Sequence, residues 1–367
     1  MATPRLEIDL EKIAHNARTL KDLYESSGIS VIGVTKVVCG NPIVAQTLVD
    51  NGINILGDSR IENIRRMRSA GIRAQFLLLR TPMLSQAETV VKYADYSHNT
   101  ELKVIERLSK FAIDRDTPHK VILMVELGDL REGLLPSDLE STIERVLDLK
   151  GVALAGIGTN LACYGSVVPD DEKMGELSAI ANDIEKNYNL TLDFVSGGNS
   201  ANHDWFMSTK NVGRVNNLRL GESIFLGCDP LNRKPIPDLY TDAMTLVAEV
   251  IECKIKPSRP YGEIAQDAFG NVLEVQDTGP MRRALLGIGK QDVLVSGLTP
   301  RSGIEILGGS SDHIIVNAKQ VDLETGCELK FDLNYGALLS AMTAPYVIKT
   351  TSDRVDAQEY CEIVEQN

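Results

Sequence analysis

The feature that most constrains the fold is a repeated alternation of short apolar segments with helical patterns within residues 1–232. Runs rich in β-branched residues, bounded by Gly, Pro or Asn, are typical of buried parallel strands. Such runs occur at residues 31–34, 53–56, 74–79, 95–97, 120–126, 152–158, 191–195 and 217–220. Eight strands, mostly followed by helices, predict an α/β fold of the (β/α)8 TIM-barrel type. A doubly wound open sheet is the alternative, weakened because no GxGxxG fingerprint accompanies the strands.

The pattern changes after a proline-rich segment that contains Pro230, Pro235 and Pro237. Beyond it, short β-rich runs are separated by Gly, Pro and Asp, which is typical of an all-β unit. We therefore predict two domains, a TIM barrel at residues 1–232 and a smaller C-terminal β-domain at residues 233–367.

Composition narrows the class of protein. The formal net charge is −13 and no basic cluster offsets it, which argues against nucleic-acid and anionic-membrane partners. The six cysteines form no close pair, as expected for reduced thiols. The N-terminal residues form no apolar signal core, and no stretch is long enough to span a membrane. We expect a cytoplasmic protein.

Lys36 lies where the first predicted strand ends, just before the chain break at Gly40-Asn41-Pro42. A lysine at the mouth of a buried strand loses hydration, so its pKa falls and the free amine needed for a Schiff base becomes available. The alternative is a lysine whose ammonium simply reaches solvent at the barrel end.

Two small-residue segments follow the seventh and eighth predicted strands, SGGNS at 196–200 and RLGES at 219–223. In barrels these positions favour phosphate groups, and glycines let backbone N–H groups approach an anion. Each segment is an ordinary turn under the simpler interpretation. A Schiff-base lysine opposite a phosphate cradle is what pyridoxal phosphate requires.

Two arginines fit the same cofactor. Arg219 facing the pyridine nitrogen would keep that nitrogen unprotonated, and the alternative is a surface or ion-paired arginine. Arg131, in the segment ELGDLREG at 126–133, is placed to donate to the phenolic oxygen of the cofactor or to the substrate. The alternative for Arg131 is a salt bridge with Asp129 or Glu132.

Several motifs together carry a family resemblance: VTK at Lys36, LGDLREG, SGGNS, RLGE, KPSRPYGEIAQDAFGN at 256–271, GGSSDH at 308–313 and LNYGALLSA at 333–341. The sequence resembles the alanine racemase group of fold-type III pyridoxal-phosphate enzymes over nearly its whole length. LGDLREG, DAFGN and SSDH resemble the ornithine racemase branch more than alanine racemases proper.

The resemblance implies roles for individual residues. Lys36 would hold pyridoxal 5'-phosphate covalently and act as one base, with Arg219 at the ring nitrogen and Arg131 at the phenolic oxygen. The phosphate would be bound by a further set: Asn199, Ser200, the backbone of Gly221 and Glu222, and Tyr335. No metal is implied.

The resemblance also implies an amino-acid racemase that works as a head-to-tail homodimer, in which the β-domain of one subunit closes the other's site. Two-base racemisation needs a second proton donor on the opposite face of the α-carbon. Tyr261, in the segment Pro260-Tyr-Gly262, matches the tyrosine that serves this role in the family. The alternative is a tyrosine packed at a Pro-Gly turn.

Two departures from the alanine racemase pattern bear on the substrate. Val37-Val-Cys-Gly40 stands where a phosphate-binding tyrosine is expected, and Ser-Ser-Asp-His replaces a Met-Asp-Gln pattern. Asp312 or Asp267 could receive the distal ammonium of ornithine or a related basic amino acid, since charge-assisted bonds are strong. An alanine or broad-specificity racemase remains open.

Two other functions share elements of this sequence. A D-amino-acid lyase or aldolase has the same architecture, and Asp312-His313 resembles half of its metal site, although Ile315 cannot ligate. A non-catalytic pyridoxal-phosphate carrier is the other alternative, against which the long C-terminal β-domain argues.

Overall fold

The computed structural model describes residues 2–272 and 276–351, and the backbone of residues 354–355. The first part of the chain runs β1 (Arg5–Ile8), α1 (Leu10–Glu25), β2 (Ser30–Val34), α2 (Pro42–Asp50), β3 (Ile55–Asp58), α3 (Ile61–Ser69), β4 (Gln75–Leu78), α4 (Ala87–Tyr93), β5 (Tyr96–Asn99), α5 (Leu102–Ile113), β6 (His119–Met124), α6 (Pro136–Leu147), β7 (Val152–Gly158), α7 (Asp171–Tyr188), β8 (Phe194–Asn199), α8 (His203–Ser208), β9 (Asn217–Leu220) and α9 (Glu222–Leu226).

Strands β2 to β9 form a closed barrel in sequence order. Every neighbouring pair is parallel, and β2 pairs with β9 to close the ring, with Ile32 opposite Arg219. Closure confirms the predicted TIM barrel and excludes the open sheet. The centre of the barrel is filled by a cluster of buried side chains from six strands: Ile32, Leu77, Tyr96, Ile122, Ala155 and Phe194. Because all strands are parallel, their carboxyl ends share one rim, where a barrel carries its functional residues.

The second unit holds an antiparallel sheet and one helix. Its elements are β10 (Met244–Pro257), β11 (Pro280–Leu286), β12 (Leu298–Pro300), β13 (Glu305–Gly309), β14 (Ile314–Asn317), β15 (Glu328–Leu333), α10 (Tyr335–Thr343), β16 (Ile348–Thr351) and β17 (Arg354–Val355). Strand β1 joins this sheet, antiparallel to β10 and parallel to β16. The β-rich character is as expected, and α10 is an addition to it.

The chain divides by internal contacts into one unit of Glu11–Thr241 and another of Met1–Leu10 with Asp242–Asn367. This division differs from the predicted one, which assigns residues 1–232 to the barrel. The reason is the pairing of β1 with strands that lie far along the chain, and local sequence patterns do not reveal such pairing. The last residues of the predicted second domain, 356–367, lie outside the described part.

The prediction of the seventh barrel strand at residues 191–195 is wrong at both ends. Strand β8 begins at Phe194 and runs to Asn199, and so includes Ser196 and both glycines. The glycines resemble a turn in sequence but allow close packing here. A Cβ at Gly198, where φ is +148°, would lie 2.1 Å from the Asn202 side-chain oxygen. None of the described helices is long and apolar enough to cross a membrane.

Candidate active site

Lys36 opens a single 3-10 turn, Lys36–Val38, directly after β2. The turn is followed by Cys39, which has a left-handed backbone. Burial lowers the pKa of the Lys36 ammonium, and the positive charges of Arg131 and Arg219 lower it further, although Cys163 and Asp58 act in the opposite direction. Two arginines that were singled out in sequence therefore lie within electrostatic reach of Lys36. A lysine with a lowered pKa supplies more free amine at neutral pH.

Asp58, at the end of β3, holds the turn that carries Lys36. Its Oδ2 accepts a hydrogen bond from Thr35 Oγ1 at 2.8 Å, and its Oδ1 accepts from the Arg60 N–H and Asn63 Nδ2. Asp58 is fully buried, and burial raises its pKa while these bonds lower it in part. The sequence reading missed Asp58. The available signal was an acidic residue two positions after the strand predicted at 53–56.

Arg219 on β9 is buried among acceptors from neighbouring strands. Its Nη1 donates to Ser196 Oγ at 2.6 Å, and its Nη2 donates to the Thr159 carbonyl at 2.7 Å and to Asn160 Oδ1 at 3.2 Å. Burial, with Arg131 nearby, lowers the pKa of Arg219 to about 10, so the guanidinium stays charged at neutral pH. These bonds orient the guanidinium at the barrel mouth.

Ser200 lies in a 3-10 turn immediately after β8 and meets the start of α9. Its Oγ accepts hydrogen bonds from the N–H groups of Gly221 and Ser223, at 3.3 and 3.2 Å, and bonds the Ser223 hydroxyl at 3.0 Å. The two predicted small-residue segments therefore come together as one cluster of donors. Ser223 lies in the predicted segment but was not among the residues assigned to the phosphate. Glu222 contributes its side chain to an ion pair with Arg233.

The side chain of Asn199 forms hydrogen bonds with other groups of the protein. Its Oδ1 accepts from the Ala201 N–H at 2.8 Å, and its Nδ2 donates to Asn160 Oδ1 at 3.1 Å and to the Leu161 carbonyl. Asn160 thus links Asn199 to Arg219. The side chain of Asn199 positions neighbouring groups, and its predicted contact with a cofactor stays a prediction.

Arg131 forms a salt bridge with Glu132, which was one of the alternatives predicted for it. Its guanidinium pairs with Glu132, and its Nη1 lies 2.9 Å from Cys163 Sγ. Asp129 has another role, because its carboxylate accepts the N–H groups of residues 163 to 165 at 2.9 to 3.1 Å. The loop after β6 is therefore tied to the loop after β7, and Cys163 is presented beside Arg131.

The remaining predicted residues belong to the second unit. Tyr261 is 91% exposed, and Tyr335 begins helix α10 behind the cap residue Asn334. Asp267 Oδ1 accepts the N–H groups of Phe269 and Asn271 and so closes its own turn. Asp312 is exposed, with its carboxylate bonded by Gln291 Nε2 and Ser311 Oγ.

Among the described residues, no group of three or more His, Cys, Asp or Glu side chains could hold a metal ion. The site that is brought together at the barrel rim instead consists of Lys36, Arg219, Arg131, Ser200 and Gly221. A nucleophilic amine, an oriented cation and a hydroxyl beside backbone N–H groups are suited to a ligand that has both a carbonyl and a phosphate.

Comparison with known proteins decides the family. The model of the alanine racemase N-terminal domain matches residues 8–229, which is more than half of the chain. The chain belongs to the alanine racemase family. Two relatives match nearly end to end at 39% identity. One is a lysine racemase of Thermotoga maritima, with 95% of this chain and 98% of the relative covered. The other is an ornithine racemase of Acetoanaerobium sticklandii, with 94% and 99% covered.

Solved structures agree with this alanine racemase family fold. An alanine racemase of Streptomyces lavendulae superposes with a TM-score of 0.74 at 15% identity, covering 96% of this chain and 98% of that one. A D-threonine aldolase of Filomicrobium marinum gives 0.73 at 16% identity, covering 96% and 92%. At such identity the likeness concerns the fold alone. The two close relatives confirm the prediction of an amino-acid racemase.

Proposed function

We propose that this family member is a pyridoxal-phosphate-dependent racemase that interconverts the L and D forms of ornithine or a related basic amino acid by two-base proton transfer. The observation that carries the proposal is the grouping of Lys36, Arg219 and Ser200 at one end of the barrel, each at the end of its strand. One of the solved family structures, from Bartonella henselae, is described with covalently bound pyridoxal phosphate.

The residues present fit the cofactor. Ser200 Oγ and the N–H groups of Gly221 and Ser223 now bond one another, and together they offer donors to a phosphate. A Cβ at Gly221 would lie 3.1 Å from both Val34 Cβ and the Val34 carbonyl oxygen, a tight contact that β2 would have to shift by a few tenths of an ångström to accept. When bound, pyridoxal phosphate withdraws electron density from the α-carbon and makes its proton acidic.

The chain's own groups would then move the proton. The Lys36 amine, whose pKa is lowered by burial, takes the α-proton on one face and returns it there in the reverse direction. The Tyr261 hydroxyl serves the opposite face. Arg219 stays positively charged and therefore opposes protonation of a ring nitrogen placed beside it. That limits electron withdrawal and favours reprotonation over loss of a carboxylate.

The proposal includes a head-to-tail homodimer in the cytoplasm. Tyr261 is 91% exposed and Phe269 is 49% exposed, as expected of a segment that packs against another subunit. The five described cysteines are all free thiols, which agrees with a reducing compartment.

The basic side chain of the substrate is proposed from two observations. Both close relatives are named for basic amino acids. Asp312 is exposed, and its carboxylate accepts from two neutral donors, Gln291 Nε2 and Ser311 Oγ, whereas Asp267 Oδ1 accepts N–H groups of its own turn. An ammonium could displace the neutral donors of Asp312, because charge-assisted bonds are roughly twice as strong.

The test begins with cofactor capture. The purified chain is loaded with pyridoxal phosphate, reduced with borohydride and mapped by mass spectrometry, beside a Lys36→Met variant and a Lys186→Met control. Trapping on Lys36 alone, followed by polarimetric racemisation of L-ornithine or L-lysine in preference to L-alanine, is expected. A protein that traps no cofactor contradicts the proposal. Cofactor trapping without racemisation would favour the non-catalytic carrier.

A further inference from the structure

A cavity of about 410 Å³ lies at the amino-terminal ends of three neighbouring barrel strands, the end opposite the candidate active site. Its lining includes the first residues of β4, β5 and β6, which are Gln75, Tyr96 and His119. The volume falls within the range of small-molecule sites, roughly 300–1,000 Å³. The proposed function assigns no role to this end of the barrel.

The lining of this cavity, which we call the basic cavity, is strongly positive. Four cations and one carboxylate line it: Arg68, Lys92, Arg115 and Lys120, with Asp95. His119 adds no charge at neutral pH, because burial lowers its pKa to about 4. Three positive charges are therefore in excess, in a chain whose formal net charge is −13.

The protein neutralises these cations only in part. Within residues 2–272 and 276–351, the side chains of Lys92 and Arg115 form no ion pair, and Arg115 donates no hydrogen bond from its guanidinium. Lys120 Nζ lies 3.7 Å from Asp193 Oδ2, but the two side chains are 44% and 59% exposed. An ion pair so open to solvent contributes little. The positive charge of the basic cavity therefore remains available to a ligand.

Arg68 is fixed in place with donors to spare. Its Nε donates to the Tyr93 carbonyl, its Nη2 donates to Asp95 Oδ2 at 2.6 Å, and its guanidinium lies 4.8 Å from the centre of the Phe76 ring. Asp95 Oδ2 also accepts the Phe76 N–H at 2.7 Å. Among the described residues Nη1 of Arg68 has no hydrogen-bond partner. An arginine held in this way loses little entropy when it binds an anion.

Compensation of helix ends does not account for all of this charge. Helices α3, α4 and α5 end beside the cavity, and Arg68 and Lys92 lie in the last turns of α3 and α4, where cations are favoured. Each helix C-terminus carries roughly half a negative charge. The three ends together offset about half of the excess, so the basic cavity stays positive without a ligand.

We propose that the basic cavity is a second ligand site, which binds a small polyanion with two or more negative charges, such as a phosphate ester or a tricarboxylate. Arg68 and Arg115 donate N–H groups to its oxygens, and Lys92 and Lys120 supply further charge. The inference does not depend on the proposed function. A polyanion at this end leaves the opposite rim open to an amino-acid substrate.

Isothermal titration calorimetry of the full chain at low salt tests the site with two probes, inorganic pyrophosphate and citrate. At least one is expected to bind, more weakly as salt is raised. Tighter binding of pyrophosphate assigns the site to phosphate compounds, and tighter binding of citrate assigns it to carboxylates. Arg115→Gln and Lys120→Gln should each raise the dissociation constant about tenfold, through loss of one charge-assisted bond.

Two control variants separate this site from other causes of anion binding. Lys110→Gln removes a charge from the last turn of α5, outside the cavity lining, and should change the dissociation constant by less than about twofold. Ser200→Ala removes a hydroxyl at the opposite rim and should leave binding of the probes unchanged. Urea denaturation of Arg115→Gln checks its folding, which should be unaffected because the side chain is exposed.

Three results overturn the inference. They are failure of both probes to bind the full chain, equal weakening in Lys110→Gln and Arg115→Gln, and loss of binding in Ser200→Ala with none in Arg115→Gln. The last result would place the anion at the rim. Trapping of cofactor on Lys36 is a separate measurement, so the proposed function stands or fails independently of all three.

Discussion

Thr35 donates a hydrogen bond of 2.8 Å to the buried carboxylate of Asp58, and this bond joins the ends of the first two barrel strands. Thr35 is the residue directly before Lys36. The position of the proposed catalytic amine is therefore set by a residue of the next strand. The same carboxylate also holds Arg60 and Asn63, at the start of the following helix.

We expect Asp58→Asn to reduce the free energy of unfolding by about 1–3 kcal/mol. The substitution replaces one carboxylate oxygen by an NH2 group, so a buried donor that bonded that oxygen then faces another donor. Urea denaturation measures the loss. Asp183→Asn, at an exposed position of α7, is the control and should change stability little. Equal stability of the two variants would show that the Thr35–Asp58 bond contributes nothing.

Capture of pyridoxal phosphate by Lys36 should persist to lower pH than capture by an exposed lysine. The ammonium form does not react, and burial lowers the pKa of Lys36 from its ordinary value of 10.5, so the reactive amine is present at a lower pH. The rate of borohydride-trapped labelling is measured from pH 7 upward. A midpoint at or above 10.5 would contradict the lowered pKa.

Asp129→Asn should release the loop that carries Cys163. The carboxylate accepts three backbone N–H groups, and an amide can accept with only one oxygen, so the loop opens at a cost of about 1–3 kcal/mol. Hydrogen exchange of the backbone N–H groups of residues 163 to 165 is expected to become several-fold faster. Asp138→Asn on helix α6 provides a matched control, and an unchanged exchange rate would argue against the tie between the two loops.

Asp312→Asn tests the proposed recognition of a basic side chain. Loss of one charge-assisted bond, of about 1.5–3 kcal/mol, should lower kcat/KM for ornithine roughly 10- to 100-fold and leave kcat/KM for alanine nearly unchanged. The ratio of the two rates is measured by polarimetry. Asp322→Asn, which removes an exposed carboxylate paired with Arg282, is the control. An unchanged ratio would rule out Asp312 as the specificity residue.

Arg5 should stabilise the second unit far more than a surface arginine. It is buried and bonds both Glu7 and Glu328. The two hydrogen bonds to Glu328, each 2.7 Å long, join β1 to β15, which lies more than 300 residues later in the chain. Removing the partner of a buried charge costs about 3–5 kcal/mol, discounted here because Glu328 is partly exposed. We expect Arg5→Met to cost about 2 kcal/mol in urea denaturation, and Arg145→Met to cost less than half of that.

Much of the fold could be predicted because the strands and helices of the barrel follow from local patterns of apolar residues in the sequence. The strands at 152–158 and 217–220 were predicted with their observed bounds, and the others were placed within a few residues of the observed strands. The strand at the SGGN segment was cut short, because glycines at a tightly packed strand end look like a turn. The cluster of hydrogen-bonding groups around Ser200 and Gly221 was also expected, since the rim of a parallel barrel gathers the residues that follow each strand.

The sequence by itself determined the eight-fold strand–helix alternation, the family and the identity of Lys36 and Arg219 as candidates. Strand periodicity and chemical type are local properties. Only the tertiary structure placed β1 in the distant sheet, put Asp58 against Thr35 and gathered four cations around the basic cavity. These facts depend on contacts between residues far apart in the chain, whose burial and hydrogen bonds are decided by packing.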